Sequence, residues 1–521
     1  MEDLIIRGGT VVDGSGAPGF RSDVAVRDGR ITGIGVFSGT AAKETLDAGG
    51  LTVSPGFIDA HAHSDTAFLL DSSCASKLYQ GITTEISGNC GSSPFPFPPE
   101  QETADVPLRC ASFDAFVRRF GSGGYSMATH QLMLVGHGTL RASVMGYADR
   151  RPSAGELERM KALLDRDLKA GAWGMSLGLE YAPGFFAEGD ELRELARVVR
   201  KYDGLVPCHL RSEGLRIGAA LRELFGIGRE TGAHVHVSHL KLDHRSVHGQ
   251  AEAVWNAVEQ ARLEGVRVTA DVYPYAASST TLSIRCPHWC LEGGDEMVVR
   301  HLRGDRRGEI LACLRAHYAT PEQAETCLVS NDFGYWPEIV GKTLRSVAED
   351  LLKTGDYAEA AAEILTRTQG KAWCVFFVMD ERDMRCFLSH ETMIGSDGSA
   401  LPGDPDRVPG SPHPRYYGAI AEFFRLNRLH RFCSVEQAVR RVTSLPAGNI
   451  GLARRGLIKP GYAADITVFD PETIAPRATY REPVQLAAGV RHVVVNGQTA
   501  LKDGRQTDRR AGRFLRKTEE G

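Results

Sequence analysis

The stretch Asp59-Ala60-His61-Ala62-His63-Ser64-Asp65 follows directly on an apolar run, Phe57-Ile58-Asp59-Ala60. Residues two apart on a strand point to one face, so His61 and His63 converge on one point. Two imidazoles at a strand end make a corner suited to a divalent metal. Alone, the pattern fits a solvated loop equally well. Three other positions strengthen the metal reading. His209 stands in Cys208-His209-Leu210-Arg211, His239 in Ser238-His239-Leu240-Lys241, and Asp397 in Gly395-Ser396-Asp397-Gly398. Each lies at or just beyond the C-terminal end of an apolar run. Four histidines and a carboxylate gathered at one mouth form a zinc-type set, whose usual chemistry is hydrolysis by an activated water.

Those positions meet only if the strands that carry them surround one axis. The apolar runs are Phe57-Ala60, Thr83-Ile86, Leu132-Val135, Trp173-Leu177, Leu205-Cys208, Val235-Ser238, Val266-Val272 and Met393-Gly395. Helical patterns alternate with them, such as 154–170 with Leu157, Met160, Leu163, Leu164 and Leu168 on one face. Eight strands alternating with helices predict an α/β chain with a closed (β/α)8, TIM-like barrel, whose site lies at the C-terminal strand ends. An open doubly wound sheet fits the same pattern. The stretch from about Ser283 to Glu391 is too long for a loop and predicts an inserted subdomain, placed as a lid over the mouth. The first fifty residues read as short strands, Leu4-Ile6, Thr10-Val12, Val24-Val26 and Ile31-Ile34, punctuated by turns. Similar runs return at Ala464-Phe469 and Arg491-Gly497.

At 521 residues the chain is long enough for two or three domains. A formal net charge of −4 with 24% charged residues gives no reason to expect nucleic acid or an anionic membrane as a partner. Eleven cysteines without framework spacing, and an N-terminus without a secretory pattern, point to a reduced cytoplasmic enzyme. Composition leaves room for a homo-oligomer. Cys286 and Cys290 lack further paired ligands and are expected to be structural, and Cys208 to face the core. His234 and His236 fall too early in their strand to be ligands, while His137 suits either a pocket wall or a satisfied buried site.

Narrower motifs accompany these residues. They are Pro55-Gly56-Phe57-Ile58-Asp59-Ala60-His61-Ala62-His63, Gly88-Asn89-Cys90-Gly91, Gly136-His137-Gly138-Thr139-Leu140-Arg141, Gly178-Leu179-Glu180-Tyr181-Ala182-Pro183-Gly184, Ser396-Asp397-Gly398, His413-Pro414-Arg415 and Pro460-Gly461-Tyr462-Ala463-Ala464-Asp465. Through them nearly the whole chain resembles the amidohydrolase superfamily and, within it, the D-aminoacylase (N-acyl-D-amino-acid deacylase) family. The resemblance implies a small β-sandwich from both chain ends, residues 1–54 and 440–505, beside a barrel of 55–439 with its insertion at about 285–390. It implies that Cys90, His209 and His239 hold one tight Zn2+, and that His61, His63 and Asp397 outline a second, weaker position. Many binuclear relatives use a carboxylated lysine on the fourth strand. Trp173-Gly174-Met175-Ser176-Leu177-Gly178-Leu179 has none, and a Cys90 thiolate fits in its place as ligand or bridge.

The activity so implied is zinc-dependent hydrolysis of N-acyl-D-amino acids, with Asp397 as proton shuttle, a role that in relatives can be combined with metal ligation. Lys241, Tyr273 and Arg415 are the candidates for the substrate α-carboxylate. Arg285, just before Cys286-Pro287-His288-Trp289, marks an alternative in which acidic side chains are read and the substrate is N-acyl-D-glutamate or N-acyl-D-aspartate. Two other readings stand beside these. One is a cyclic amidase of dihydroorotase or hydantoinase type, which the missing lysine disfavours. The other is an inactive binding scaffold, which the intact ligand set disfavours.

Overall fold

The computed structural model describes residues 1–98, 108–121 and 125–521. Its centre is a series of short parallel strands in chain order: Phe57–Asp59, Ile82–Ser87, His130–Met133 with Val135–Gly136, Met175–Gly178, Leu205–His209, His234–Val237, Val268–Val272 and Met393–Ile394. They are nearly continuous buried runs, as strands covered on both faces must be. The first and last meet, with Ala60 N–H donating to Ile394 O at 3.2 Å. The third strand differs from the unbroken Leu132-Val135 expected. Leu134 N–H turns to Ser87 O at 2.9 Å, while Val135 N–H reaches Gly174 O at 3.0 Å, so the chain passes from one neighbour to the other there.

Helices follow the strands. Ala154–Lys169 starts at Ser153, whose side chain and Glu156 form a reciprocal capping box, and it buries Met160, Leu164 and Leu168. Both chain ends build a nine-stranded sheet, with strands between Glu2 and Pro55 and between Ile466 and Gln506. Here two expected strands are one: Glu2–Val11 runs straight through Gly8-Gly9, with a register shift between Ile6 and Gly9. A side chain at Gly9 would come within 2.5 Å of Val53 Cγ2, so the glycine permits close strand packing rather than a turn.

Residues following Val272 leave the parallel series. Ser278–Thr281, Trp373–Phe376 and Cys327–Asn331 form a separate antiparallel sheet, and helices such as Tyr357–Arg367 pack on it. This unit has its own apolar core from Leu282 to Phe376, which includes Cys286 and Cys290. Helix Glu381–Ser389, within the expected insertion, instead buries Met384, Phe387 and Leu388 in the main core. Among the described residues no helix is long and apolar enough to cross a membrane.

One buried ion-pair network binds the strands that carry the metal-type residues. Lys77 is fully buried, and its Nζ donates to Asp59 Oδ2 at 2.8 Å, Ser396 Oγ at 2.8 Å and Gly398 O at 3.0 Å, with Glu85 Oε2 at 3.5 Å. It therefore joins the first, second and last strands around the loop that holds Asp397. Removing one partner of a buried pair strands the other charge, at a cost of about 3–5 kcal/mol. Lys77→Met is expected to lower unfolding free energy in urea by that amount; a loss under about 1 kcal/mol would show that the network contributes little.

Candidate metal centre and active site

The loops after the parallel strands bring the expected ligands together. Cys90 Sγ lies 3.3 Å from His61 Nε2 and 3.3 Å from His239 Nε2. His209 Nδ1 is 3.0 Å from His239 Nε2, and Asp397 Oδ1 is 3.0 Å from His63 Nε2 and 3.7 Å from His61 Nε2. Ligand atoms of His61, Cys90, His239 and Asp397 all fall within 4.8 Å of one another. Tetrahedral zinc with bonds of about 2.0–2.3 Å sets its ligand atoms roughly 3.3–3.7 Å apart. The donor set and its spacing fit zinc. Cys90 stands between the two sets expected from sequence, Cys90, His209 and His239 on one side and His61, His63 and Asp397 on the other.

Three of these residues sit in the left-handed backbone region: Cys90 at φ 51°, His239 at 36° and Asp397 at 47°. For residues other than glycine this strain costs on the order of 1–3 kcal/mol each, and the surroundings must hold it. His239 N–H donates to Asp271 Oδ1 at 3.0 Å, and Asp397 N–H to His61 O at 2.8 Å. Gly91 N–H, next to Cys90, donates to Ser176 Oγ at 3.0 Å. Gly178 lets the loop approach, because a Cβ there would lie 2.1 Å from Cys90 O.

Buried carboxylates orient the imidazoles. Asp271 Oδ2 accepts from His236 Nε2 at 2.7 Å and lies 3.3 Å from His61 Nδ1, which turns His61 Nε2 toward Cys90. Glu213 Oε1 lies 3.0 Å from His239 Nδ1, and its Oε2 is 2.5 Å from Lys241 Nζ. Glu180 Oε2 lies 2.9 Å from His209 Nε2. Sequence reading gave no role to Glu213, Glu180 or Asp271; the signals available were the motif around Glu180 and the four-residue spacing of Glu213 from His209. Burial alone would raise the Cys90 thiol, yet the His61 and His239 imidazoles bring it well below its ordinary value. Burial would lower His209, but Glu213, Cys90 and Glu180 push it up to about 10. Asp397 is likewise opposed by burial, and Arg415 and His239 hold it well below the usual carboxylate range.

Residues singled out for other roles are also placed. Arg415 is fully buried, with Nη2 2.9 Å from Asp397 Oδ2 and its guanidinium 4.7 Å from the Tyr273 ring. Its Nε and Nη1 have no hydrogen-bond partner among the described residues. Lys241 lies 5.8 Å from the same ring but is paired with Glu213. A cavity of about 870 Å3 is lined by His63, Cys90, His239, Asp397 and Arg415. Arg285 is on a different one, of about 190 Å3, stacked over Phe376 at 4.6 Å and 3.8 Å from Asp243. His137 is buried against Glu191 Oε1 at 2.8 Å, and Cys208 is in the core.

An amidohydrolase family model matches residues 44–292 and 391–501, leaving out most of the inserted unit. The chain belongs to the amidohydrolase family. Within it, this family member is 36% identical to N-acyl-D-glutamate deacylase of Alcaligenes xylosoxydans xylosoxydans, over 99% of this chain and 96% of that one. It is 33% identical to D-aminoacylase of the same organism, over 99% and 98%. The crystal structure of N-acyl-D-glutamate deacylase from Bordetella bronchiseptica, complexed with zinc and a phosphonate inhibitor that mimics the tetrahedral intermediate, superposes with a TM-score of 0.83. Identity there is 34%, over 99% of each chain. L-hydantoinase from Arthrobacter aurescens, at 16% identity and a TM-score of 0.60, shares the fold.

The geometry makes Cys90 the residue on which metal retention turns. Cys90→Ala is expected to lose tightly held zinc and turnover together, measured by metal analysis after gel filtration. Full zinc and full activity in that variant would remove Cys90 from the site. Because imidazoles must give up protons to bind metal, zinc uptake by metal-free protein is expected to release protons and to weaken as pH falls below about 10. An affinity unchanged between about pH 6 and 9 would contradict this.

Proposed function

We propose that this amidohydrolase-family enzyme hydrolyses the amide bond of N-acyl-D-amino acids with zinc, releasing a carboxylate and a D-amino acid. The observation that carries the reading is the sharing of Asp397, one oxygen 3.0 Å from His63 and the other 2.9 Å from an Arg415 with spare buried donors. A carboxylate for proton transfer and an anion-binding guanidinium thus stand side by side at the metal-type cluster. Relatives named as D-amino-acid deacylases, and the zinc in the Bordetella structure, supply the substrate class and the metal.

In this reading the parallel series is a closed (β/α)8 barrel over 55–439, the inserted unit covers its mouth as a lid, and 1–54 with 440–505 form the accompanying β domain. Among the described residues no two cysteines are joined in a disulfide, which supports a reducing cytoplasmic compartment.

Cys90, His209 and His239 would hold the tight zinc, and His61, His63 and Asp397 would outline a second, weaker position. Bound there, zinc would acidify a water and polarise the scissile carbonyl. Arg415, whose Nε and Nη1 have no partner among the described residues, offers a charged donor to the substrate α-carboxylate, with Tyr273 stacked beneath the guanidinium. Asp397, kept ionised by Arg415, accepts the proton of the attacking water at Oδ1 and passes it to the leaving nitrogen. An amine leaves poorly without that proton.

Asp397→Asn keeps shape and removes the acceptor. It is expected to cut kcat by about 10²–10⁴-fold, and retention of a tenth of the activity would exclude the shuttle. Anchoring the α-carboxylate and the carbonyl fixes the substrate at two points, and the shaped pocket wall that meets the side chain supplies the third, so enantiomers are distinguished. The deciding assay is zinc-loaded protein on N-acetyl-D- and N-acetyl-L-methionine; equal rates would overturn the reading. Because Asp243 already accompanies the Arg285 guanidinium, Arg285→Leu is expected to leave the ratio of D-methionine to D-glutamate substrates within about threefold. A ten- to hundredfold loss confined to the acidic substrate, as a lost charged hydrogen bond gives, would assign Arg285 to side-chain recognition.

A further inference from the structure

The 870 Å3 cavity is large for the substrate that the anchoring residues demand. An N-acetyl amino acid has about a dozen non-hydrogen atoms, well below the drug-sized ligands that fill cavities of roughly 300–1,000 Å3. The position of the surplus space is informative. Arg415, which takes the α-carboxylate, also donates from Nη2 to Ser279 O at 3.4 Å, so the amino-acid half of the substrate lies toward Ser279. A linear amide places its acyl half on the other side of the scissile bond, past Cys90.

On that side the cavity continues between the loop that leads from Cys90 to Phe97 and the helix His137–Met145. The helix starts against the Cys90 loop, since a Cβ on Gly138 would lie 2.9 Å from Gly91 O. Gly138, Ala142 and Gly146, each four residues on, line the cavity, so it follows one helix face outward. From Gly138 to Met145 the helix face is about 10 Å long at 1.5 Å per residue, the reach of an extended chain of roughly eight carbons, which advances about 1.3 Å per bond. Its outer end is amphipathic, with the Arg109 guanidinium laid 4.5 Å from the Phe97 ring beside large apolar side chains. Leu108 and Tyr147 stand there 37% and 41% exposed, among the few large hydrophobic residues the described surface shows to solvent. Tyr147 is held in place by its carbonyl, which accepts from Gly293 N–H of the inserted unit at 3.2 Å.

We propose that this extension is an acyl channel and that the enzyme prefers N-acyl groups of about six to ten carbons over acetyl. The inference rests on the deacylase reading and goes beyond it by naming the acyl group. No side chain on the channel's helix face projects a charge into the space that the chain would fill: Gly138, Ala142 and Gly146 leave it open. Each methylene buried there contributes up to about fourfold in kcat/KM, less where the wall is open to solvent.

The test is a series of N-acyl-D-methionines, from acetyl through butanoyl and hexanoyl to octanoyl, on the zinc-loaded wild-type enzyme. The expected result is a rise in kcat/KM of roughly two- to fourfold per methylene up to about eight carbons, then a plateau. Ala142→Phe, which fills the middle of the channel, is expected to lower the octanoyl-to-acetyl ratio at least tenfold, and Tyr147→Ser to flatten the rise. Flat or falling kcat/KM with chain length, while N-acetyl-D-methionine is cleaved, overturns the channel and leaves the deacylase reading standing. So does a gain that follows lengthening of the amino-acid side chain with acetyl held fixed, which would give the space to that side chain. Failure to cleave any N-acyl-D-amino acid overturns both.

Discussion

The structure is organised around one partly buried thiol, Cys90, set among buried imidazoles. Cys90 Sγ is equidistant, at 3.3 Å, from nitrogens on the first and sixth parallel strands' loops, and it is drawn well below its ordinary pKa by them. A partly buried charge of this kind is costly unless paired, and it persists only in a fixed constellation of opposite charge. Every other feature near the site serves that constellation. Cys90, His239 and Asp397 all occupy left-handed backbone, which no one of these loops would adopt by preference.

Carboxylates behind the cluster divide the imidazole nitrogens between two tasks. Asp271 takes His61 Nδ1 and His236, Glu180 stands at His209 Nε2, and His239 Nδ1 meets Lys241 Nζ at 2.9 Å with Glu213 beside both. The opposite ring nitrogens are left facing inward at the ligand point. This outer layer fixes tautomer and orientation, and it adds the negative charge that a divalent cation offsets. Arg415 and Lys241 complete the balance on the substrate side, Arg415 against Asp397 and Lys241 against Glu213. Of the two, Arg415 has donors without a partner among the described residues, which supports its proposed role as the anchor for an incoming carboxylate.

The residues proposed as ligands, which the structure brings together, were legible in the sequence because chemistry at strand ends leaves a local mark. His61 and His63 share a strand face, and His209, His239 and Asp397 each end an apolar run. Cys90 was not legible by spacing; a cysteine after a strand looks like core, and only the Gly-Asn-Cys-Gly resemblance singled it out. The carboxylates Asp271, Glu180 and Glu213 were given no role because a buried acid is recognised by its partner, and those partners lie on other strands. Lys77 shows the same limit, since nothing in its helix announces that it meets Asp59, Ser396 and Gly398. In the fold, runs of buried residues located the parallel strands to within a few positions. Gly8-Gly9 misled as a turn because its glycines serve packing against Val53 inside one long strand.

The central claim is that a single thiolate, Cys90, binds the metal on which hydrolysis depends. The most direct measurement is X-ray absorption at the zinc edge on wild-type protein loaded with one zinc per chain. The account expects one sulfur neighbour at about 2.3 Å with the remaining nitrogen and oxygen ligands at about 2.0–2.1 Å. A shell of nitrogen and oxygen alone, with full activity, would contradict it.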